Sequence, residues 1–190
     1  MIPDGRDCAS GHWQRLWMSS LPHARFVEPA RQNPDPAQWI AALSAAVSDA
    51  RGPAILVGHG LGCLVAARLP AGLRARVAGA LLVAPVDAER SAEAGVRAFG
   101  PIPHAALPYQ SVVVAADNDP ACTLGRAAGF AADWGSRFVV LEGAGRIDEN
   151  SGHGAWPQGW KLLTALRRRA AWRITPPAPR IAPVARPGPA

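Results

Sequence analysis

The chain has 190 residues, of which 49% are hydrophobic and 18% charged, enough for one domain with a buried core. Its formal net charge is +6, but residues 166–190 hold six arginines and no acidic residue. The other 165 residues carry 14 basic and 14 acidic groups, so the excess charge belongs to the C-terminal segment. This distribution argues against a nucleic-acid interface on the folded domain.

Cysteine content and hydropathy exclude several further classes. Three cysteines without a paired Cys-x-x-Cys motif indicate neither a disulfide framework nor a zinc site. The longest apolar run, residues 77–86, is about half of what a membrane-spanning helix needs. The first residues include Asp4 and Asp7 where a secretory signal would be apolar. We expect a cytoplasmic protein with no membrane contact.

Short apolar strands alternate with alanine-rich helical segments along the chain. The predicted strands are continuous apolar runs, typical of strands buried on both faces. They are Ala24–Glu28, Ala54–Gly58, Gly79–Ala84, Ser111–Ala116 and Arg137–Leu141. The predicted helices show apolar residues at helical spacing. They are Gly11–Leu21, Asp35–Ala50, Leu61–Leu69, Cys122–Trp134 and Gln158–Trp172.

This alternation predicts an α/β fold with a mostly parallel sheet of five to six strands and helices on both faces. The sixth strand would be a vestigial one at the start of the chain, where Met1, Ile2 and Pro3 leave little room. We therefore expect residues 1–7 to be poorly anchored. One domain is predicted over residues 1–172. Residues 173–190 are predicted to be a disordered tail, because six of the last sixteen residues are proline.

A glycine-rich corner follows the second predicted strand, with the sequence Gly58-His59-Gly60-Leu61-Gly62-Cys63. A dinucleotide-binding fingerprint would need glycine instead of Cys63, so that interpretation is weak. The nucleophile elbow of serine hydrolases, Gly-x-Ser-x-Gly, fits better because its glycines avoid collisions around a tight turn. In this chain the nucleophile position holds Gly60.

Several segments in unbroken order from residue 2 to residue 166 resemble one family. They are Ile2-Pro3-Asp4-Gly5-Arg6-Asp7 with Gly11-His12-Trp13-Gln14, then residues 58–63, Leu82-Val83-Ala84-Pro85, Asp117-Asn118-Asp119-Pro120, Trp134-Gly135 with Gly145-Arg146-Ile147, and Ser151-Gly152-His153-Gly154 with Trp156-Pro157. The chain resembles the small α/β-hydrolase-fold serine hydrolases related to retinoblastoma-binding protein 9. The resemblance implies a fold without a lid domain, action on ester or other acyl bonds, and no metal or organic cofactor.

Carried over position by position, the resemblance puts the nucleophile on Gly60, the acid on Asp119 and the general base on Arg146. The oxyanion-hole N–H groups fall on Leu61 and near Gly5. Glycine has no nucleophile, and arginine stays protonated, so two of the three roles are unfilled. We predict an ion pair between Asp119 and Arg146. With residues 1–7 expected to fray, only half of the oxyanion hole is expected to persist.

Three histidines are further candidates for the pocket. His59 is expected to lie at the top of the sheet, packed against the next strand, and His12 is expected to be a structural contact near the pocket rim. His153 is the best candidate for a relocated base, with a loop-ordering role as the alternative.

Three interpretations follow. The chain is a hydrolase relative that has lost turnover and keeps a pocket for an acyl or ester ligand or a protein partner. Alternatively, it is an active hydrolase using His153 or an activated water, or it is an eroded chain without function. The sequence leaves the oligomeric state open.

Overall fold

The computed structural model of the chain describes residues 1–5, 9–27 and 35–174. The center of the fold is a parallel sheet of four strands in the order β1-β2-β3-β4. The strands are β1 (Ala54–His59), β2 (Val77–Val83), β3 (Gln110–Ala116) and β4 (Arg137–Leu141). All four correspond to predicted strands, with ends shifted by up to two residues.

Seven helices surround the sheet in the described part of the chain. They are α1 (Trp13–Met18), α2 (Pro36–Ser48), α3 (Leu61–Ala67), α4 (Ala71–Arg74), α5 (Ala94–Arg97), α6 (Leu124–Asp133) and α7 (Pro157–Ile174). The sequence did not predict α4 and α5, because four residues are too few to show helical periodicity. Helix α7 ends two residues later than expected, and the predicted tail from residue 175 lies outside the described residues. No described helix has the length and apolar character needed to cross a membrane.

Neighbouring residues of each strand contribute to two separate hydrophobic cores, because successive side chains point to opposite faces of a sheet. Leu56, Leu82 and Val113 belong to a core with α2, α3 and α6. Val57 and Leu81 belong to a second core with α1 and α7. The fold is therefore α/β with helices on both faces, as predicted.

The start of the chain is firmly held, so the expectation that it is poorly anchored is wrong for residues 1–3. The backbone N–H of Ile2 donates to Val57 O at 2.8 Å, and Ile2 O accepts from His59 N at 2.9 Å. This pairing is an isolated parallel bridge beside β1, and the Ile2 side chain is fully buried. Two backbone hydrogen bonds and the buried Ile2 side chain thus hold these residues against β1.

The predicted strand over Ala24–Glu28 does not form in residues 24–27, and Glu28 lies outside the described residues. Residues 25–27 nevertheless run beside Met1, where Val27 N donates to Met1 O at 2.8 Å. The segment is not a strand, because its neighbour contributes only an isolated bridge, between Ile2 and Gly58, to the sheet. In the described part of the chain the sheet therefore has four strands rather than the five or six expected.

The order of these segments determines where a site can form. Residues 1–3 lead to α1 on one face of the sheet, whereas β1 leads to α3 on the other face. Chain segments that leave adjacent strands toward opposite faces open a crevice at the carboxyl ends of the strands. In this chain residue 4 and residue 60 lie in contact at that end of the sheet, and two cavities that include residue 4 adjoin them.

Candidate active site

A sharp turn at Gly60 joins β1 to α3. Gly60 has φ 54° and ψ −119°, a conformation that side-chain-bearing residues adopt only with strain. Its N–H donates to Val83 O at 3.0 Å, which ties the turn to the next strand. The turn therefore has the strand-turn-helix context that a nucleophile elbow requires.

The two flanking glycines are required by close backbone contacts. A Cβ on Gly62 would overlap the carbonyl oxygen of Ile2. A Cβ on Gly58 would lie 2.8 Å from the carbonyl carbon of Gly62, closer than real Cβ atoms approach. The glycine frame predicted around position 60 thus has a steric cause in the packing of β1, α3 and the first residues of the chain.

The side chain of Asp4 occupies the space next to Gly60. A Cβ added to Gly60 would overlap Oδ1 of Asp4 and would lie 2.8 Å from its Cβ. Oδ1 accepts a hydrogen bond from the backbone N–H of Leu61 at 2.8 Å. The N–H predicted to serve as an oxyanion donor is therefore already bonded to a carboxylate of the same chain.

The guanidinium of Arg146 lies between two carboxylates. Its Nη2 donates to Oδ2 of Asp4 at 2.5 Å, and its Nη1 lies 3.6 Å from Oδ1 of Asp119. The predicted contact between Asp119 and Arg146 is therefore present, with Asp4 as a second and shorter contact. Burial alone would lower the pKa of Arg146, but the carboxylates of Asp4 and Asp119 raise it overall. Arg146 is a fixed cation in this site.

Asp119 follows β3 and is buried. Its Oδ1 accepts from the N–H of Ala121 at 2.8 Å, whereas its buried Oδ2 has no hydrogen-bond partner within the described residues. Burial raises the pKa of Asp119, opposed by the Ala121 hydrogen bond and the Arg146 charge. The carboxyl group is held in place on one side and unsatisfied on the other.

His59 and His12 lie beside this cluster as buried, neutral rings. His59 is bonded through Nε2 to the carbonyl oxygen of Arg146 at 2.8 Å, and burial lowers its pKa. His12 caps α1 by accepting from the N–H of Gln14 through Nδ1 at 3.2 Å. Its pKa is lowered to about 3 by burial and by the neighbouring His59, whose ring centre lies 4.9 Å away. His12 therefore has the structural role that the sequence predicted, whereas the ring of His59 contacts Arg146, His12 and Trp13.

The third candidate, His153, lies in a turn of its own. Its Nδ1 lies 2.9 Å from the carbonyl oxygen of Ser151. His153 lines neither of the two cavities that contain Asp4 and Arg146. The structure therefore places it apart from the Gly60 turn, in a local loop contact.

Two thiols lie near the turn and are poor nucleophiles. Cys63 is fully buried and donates to Val83 O at 3.3 Å, and burial raises its pKa. Burial also raises the pKa of Cys122, to about 12. Because the thiolate is the reactive form, neither cysteine is an activated nucleophile beside the Gly60 turn.

Two cavities meet at Asp4 and Arg146. The larger, about 620 Å³, also contains Leu61 and Gly5, the second predicted oxyanion position. Gly5 has φ 78° and lies against Trp39 and Leu61. The smaller cavity, about 440 Å³, contains His12 and His59 instead. The Asp4–Arg146 pair thus borders both cavities, each large enough for a small ligand.

Asp4 was not predicted to be a site residue, although it lies in the first loop that resembles the family. Its position in the site depends on the pairing of Ile2 with β1, which brings residue 4 to residue 61. The signal present in the sequence was an acidic residue, Asp4, and a basic residue, Arg146, in two segments that meet at the same end of the sheet. Among the described residues, no group of three or more His, Cys, Asp or Glu side chains is arranged to hold a metal ion.

Comparison with known proteins agrees with this architecture. The family model described as serine hydrolase matches residues 1–165. A protein from Pectobacterium atrosepticum described as a YdeN-like hydrolase superposes with a TM-score of 0.79 at 29% identity, over 90% of this chain and 91% of that chain.

Two more distant solved structures show the same fold. The ydeN gene product of Bacillus subtilis superposes with a TM-score of 0.74 at 20% identity, over 88% of this chain and 96% of that chain. A protein from Mycobacterium tuberculosis described as the non-heme bromoperoxidase BpoC has a TM-score of 0.58 at 14% identity, with 90% of each chain covered. No curated protein sequence matches the chain.

Proposed function

Because the chain belongs to the serine hydrolase family, we propose that it is a member that has lost acyl transfer and keeps the pocket as a binding site for a small acyl or ester-derived ligand. The resemblance to the hydrolases related to retinoblastoma-binding protein 9 assigns the serine position to Gly60 and the histidine position to Arg146. The observation on which this proposal depends is the carboxylate of Asp4, bonded to Leu61 N–H in the space of the nucleophile.

The Asp4 carboxylate is a poor substitute nucleophile. Oδ1 accepts from Leu61 N–H, and Oδ2 accepts from Arg146 at 2.5 Å. Two donors, one of them charged, hold electron density on these oxygens and lower their reactivity. While Asp4 accepts from Leu61 N–H, this N–H is also occupied and is not available to stabilise a tetrahedral oxyanion. Asp4 therefore blocks the inherited reaction.

Arg146 removes the second catalytic function. A general base must accept a proton, and a guanidinium stays protonated at any physiological pH. Loss of the nucleophile or of the base in a serine triad lowers turnover by about 10⁶-fold. Asp119 remains at the acid position with an unsatisfied Oδ2, which is the atom available to a histidine at position 146.

The proposal is tested by hydrolysis of 4-nitrophenyl butyrate. The assay compares the wild-type chain with the triple variant Asp4→Gly/Gly60→Ser/Arg146→His. Glycine is needed at position 4, because an alanine Cβ there would lie 2.8 Å from the serine Cβ. The matched control is Asp4→Gly/Gly60→Ala/Arg146→His, which has the same backbone changes and no hydroxyl.

We expect no turnover above background for the wild type and the control, and at least a 10²-fold higher rate for the triple variant. The proposal is wrong if the wild type hydrolyses the ester and loses that activity in Asp119→Ala or His153→Ala. Such a loss would support an active enzyme with a relocated base.

A further inference from the structure

The side-chain carboxylate of Asp4 is bound by Leu61 and Arg146 in the way that a free carboxylate would be. Its two oxygens accept from different donors, Leu61 N–H at 2.8 Å and Arg146 Nη2 at 2.5 Å. The donors come from separate parts of the chain, the start of α3 and the loop after β4. The Asp4 side chain is only 11% exposed in this position. Paired donors of this kind, one of them a guanidinium, are a strong recognition element for carboxylates.

We propose that Leu61 N–H and Arg146 form a carboxylate-binding site, in which Asp4 is an internal ligand that an aliphatic carboxylate from solution displaces. The inference rests on the proposed function and specifies its ligand class. A histidine at position 146 or a serine at position 60 would favour an ester. The guanidinium instead favours an anion, of the class that ester hydrolysis releases as its acid product.

The larger cavity provides room for the aliphatic part of such a ligand. It is the one of the two cavities that contains Leu61 and Arg146 together. Its wall includes the apolar side chains of Leu61, Val86 and Val96, against which a short alkyl chain packs. The smaller cavity lacks Leu61 and contains Asp148 and Glu149, which repel a carboxylate.

The charges around the larger cavity are balanced. Besides Asp4, its charged residues are two acidic ones, Asp87 and Glu93, and two basic ones, Arg90 and Arg146. Asp87 is also bonded by Arg126 at 2.7 and 3.0 Å, so its charge is compensated. Arg146 keeps its position when Asp4 leaves, because Asp119 Oδ1 lies 3.6 Å from Nη1 on the other side of the guanidinium. The site is therefore pre-formed apart from the displacement of one side chain.

The tethered Asp4 competes with any external carboxylate. A group held on a short tether acts at an effective concentration in the millimolar range or above. Removal of the Asp4 carboxylate should therefore strengthen binding of an external carboxylate by at least tenfold. Removal of Arg146 in the same background should weaken binding by a similar factor.

The test is a titration with sodium butyrate, with butyramide as the neutral isostere. It is followed by calorimetry and by the NMR signal of the Leu61 amide in ¹⁵N-labelled protein. The proteins are wild type, Asp4→Gly, Asp4→Asn and Asp4→Gly/Arg146→Gln. Asp4→Asn keeps the side-chain volume, so it tests the site even if the glycine variant folds poorly.

We expect the Leu61 signal to shift saturably with butyrate in the wild type, with at least tenfold tighter binding in Asp4→Gly and tighter binding than wild type in Asp4→Asn. Butyramide and the Arg146→Gln variant should show at least tenfold weaker binding. The inference is overturned if butyrate does not bind the wild type, if removal of the Asp4 carboxylate leaves affinity unchanged, or if butyramide binds equally well.

The ester assay on the same wild-type sample separates the two proposals. Wild-type turnover of 4-nitrophenyl butyrate that is lost in Asp119→Ala or His153→Ala contradicts the proposed function whatever the titration gives. If the wild type neither hydrolyses the ester nor binds butyrate, only the proposed carboxylate site is contradicted.

Discussion

The carboxylate of Asp4 lies where a side chain on Gly60 would begin, and a Cβ at position 60 would overlap its Oδ1. The two residues are mutually dependent, because the absence of a side chain at one makes room for the carboxylate at the other. Gly60 also adopts its φ of 54° without the strain that a side chain would add. With glycine at position 60, the turn has neither the steric collision with Asp4 nor the backbone strain that a side chain at this position would cause.

Gly60→Ser alone should destabilise the protein by about 2–4 kcal/mol. The serine would collide with Asp4 and would adopt a strained backbone conformation. Asp4→Gly added to Gly60→Ser should recover part of this loss, because it removes the collision and leaves only the backbone strain. Urea unfolding of both single variants and the double variant measures the coupling.

Gly72→Ser is the matched control for the unfolding measurements on Asp4→Gly, Gly60→Ser and their double variant. A Cβ on Gly72 meets nothing within 4 Å, and this glycine has no left-handed φ. We expect a change of less than about 1 kcal/mol there. If the effects of Asp4→Gly and Gly60→Ser on the free energy of unfolding are additive, the proposed mutual dependence of the two positions is contradicted.

Arg146→Gln should destabilise the protein by about 2 kcal/mol at pH 7. The change leaves the carboxylates of Asp4 and Asp119 near each other without their shared cation. Asp4→Asn in the same background should restore at least about 1 kcal/mol by removing one of the two charges. Unfolding in urea at pH 7 measures both variants.

The control for Arg146 is Arg90→Gln. The Arg90 side chain is 70% exposed and lies 3.7 Å from Asp87. Exposed ion pairs contribute about 0–1 kcal/mol, so this change should be nearly neutral. Equal losses of unfolding free energy in Arg90→Gln and Arg146→Gln would contradict this prediction. They would show that the buried position of Arg146 between Asp4 and Asp119 contributes no more to stability than an exposed ion pair.

The sequence predicted the fold more completely than the site because the two depend on different ranges of interaction. Four strands and five helices appear as local patterns, such as the apolar runs of β2 and β3. The short helix α4 and the pairing of Ile2 with β1 have no local pattern. The strand predicted near residue 24 has a local apolar pattern but did not form, because the segment beside it contributes only an isolated bridge, between Ile2 and Gly58, to the edge of the sheet.

The site was predictable where a motif fixes backbone geometry and unpredictable where side chains meet across the fold. The glycine frame at residues 58–62 predicted the turn at Gly60. The contact of Asp119 with Arg146 was predicted by carrying two roles over from related hydrolases. The Asp4 carboxylate on Leu61 N–H was not predicted, because 57 positions separate these residues and no spacing rule connects them.

Asp119→Asn should change how stability depends on pH. Burial raises the pKa of Asp119 above its ordinary value of 3.8, so the folded protein binds this proton more tightly than the unfolded chain. Wild-type stability is therefore lost as pH rises through the range between the unfolded and folded pKa values. The asparagine variant lacks this loss, and its stability relative to wild type should increase with pH from about 3.8 upward. Urea unfolding between pH 3.5 and 7.5 tests this; a difference that does not vary with pH would contradict it.

His12→Asn should make the fold more resistant to acid. The pKa of His12 is lowered to about 3 in the folded protein, so between pH 3 and 6.5 the unfolded chain binds a proton that the native state excludes. Wild-type stability from this group is present above pH 6.5 and falls with decreasing pH, by at most about 1.4 kcal/mol per pH unit. Asparagine keeps an acceptor for Gln14 N–H at the start of α1 and has no such titration. Urea unfolding should give similar stabilities at pH 7.5 and a growing advantage of the variant toward pH 4. Parallel acid profiles would contradict this, because they would show that His12 has the same pKa in the folded and unfolded states.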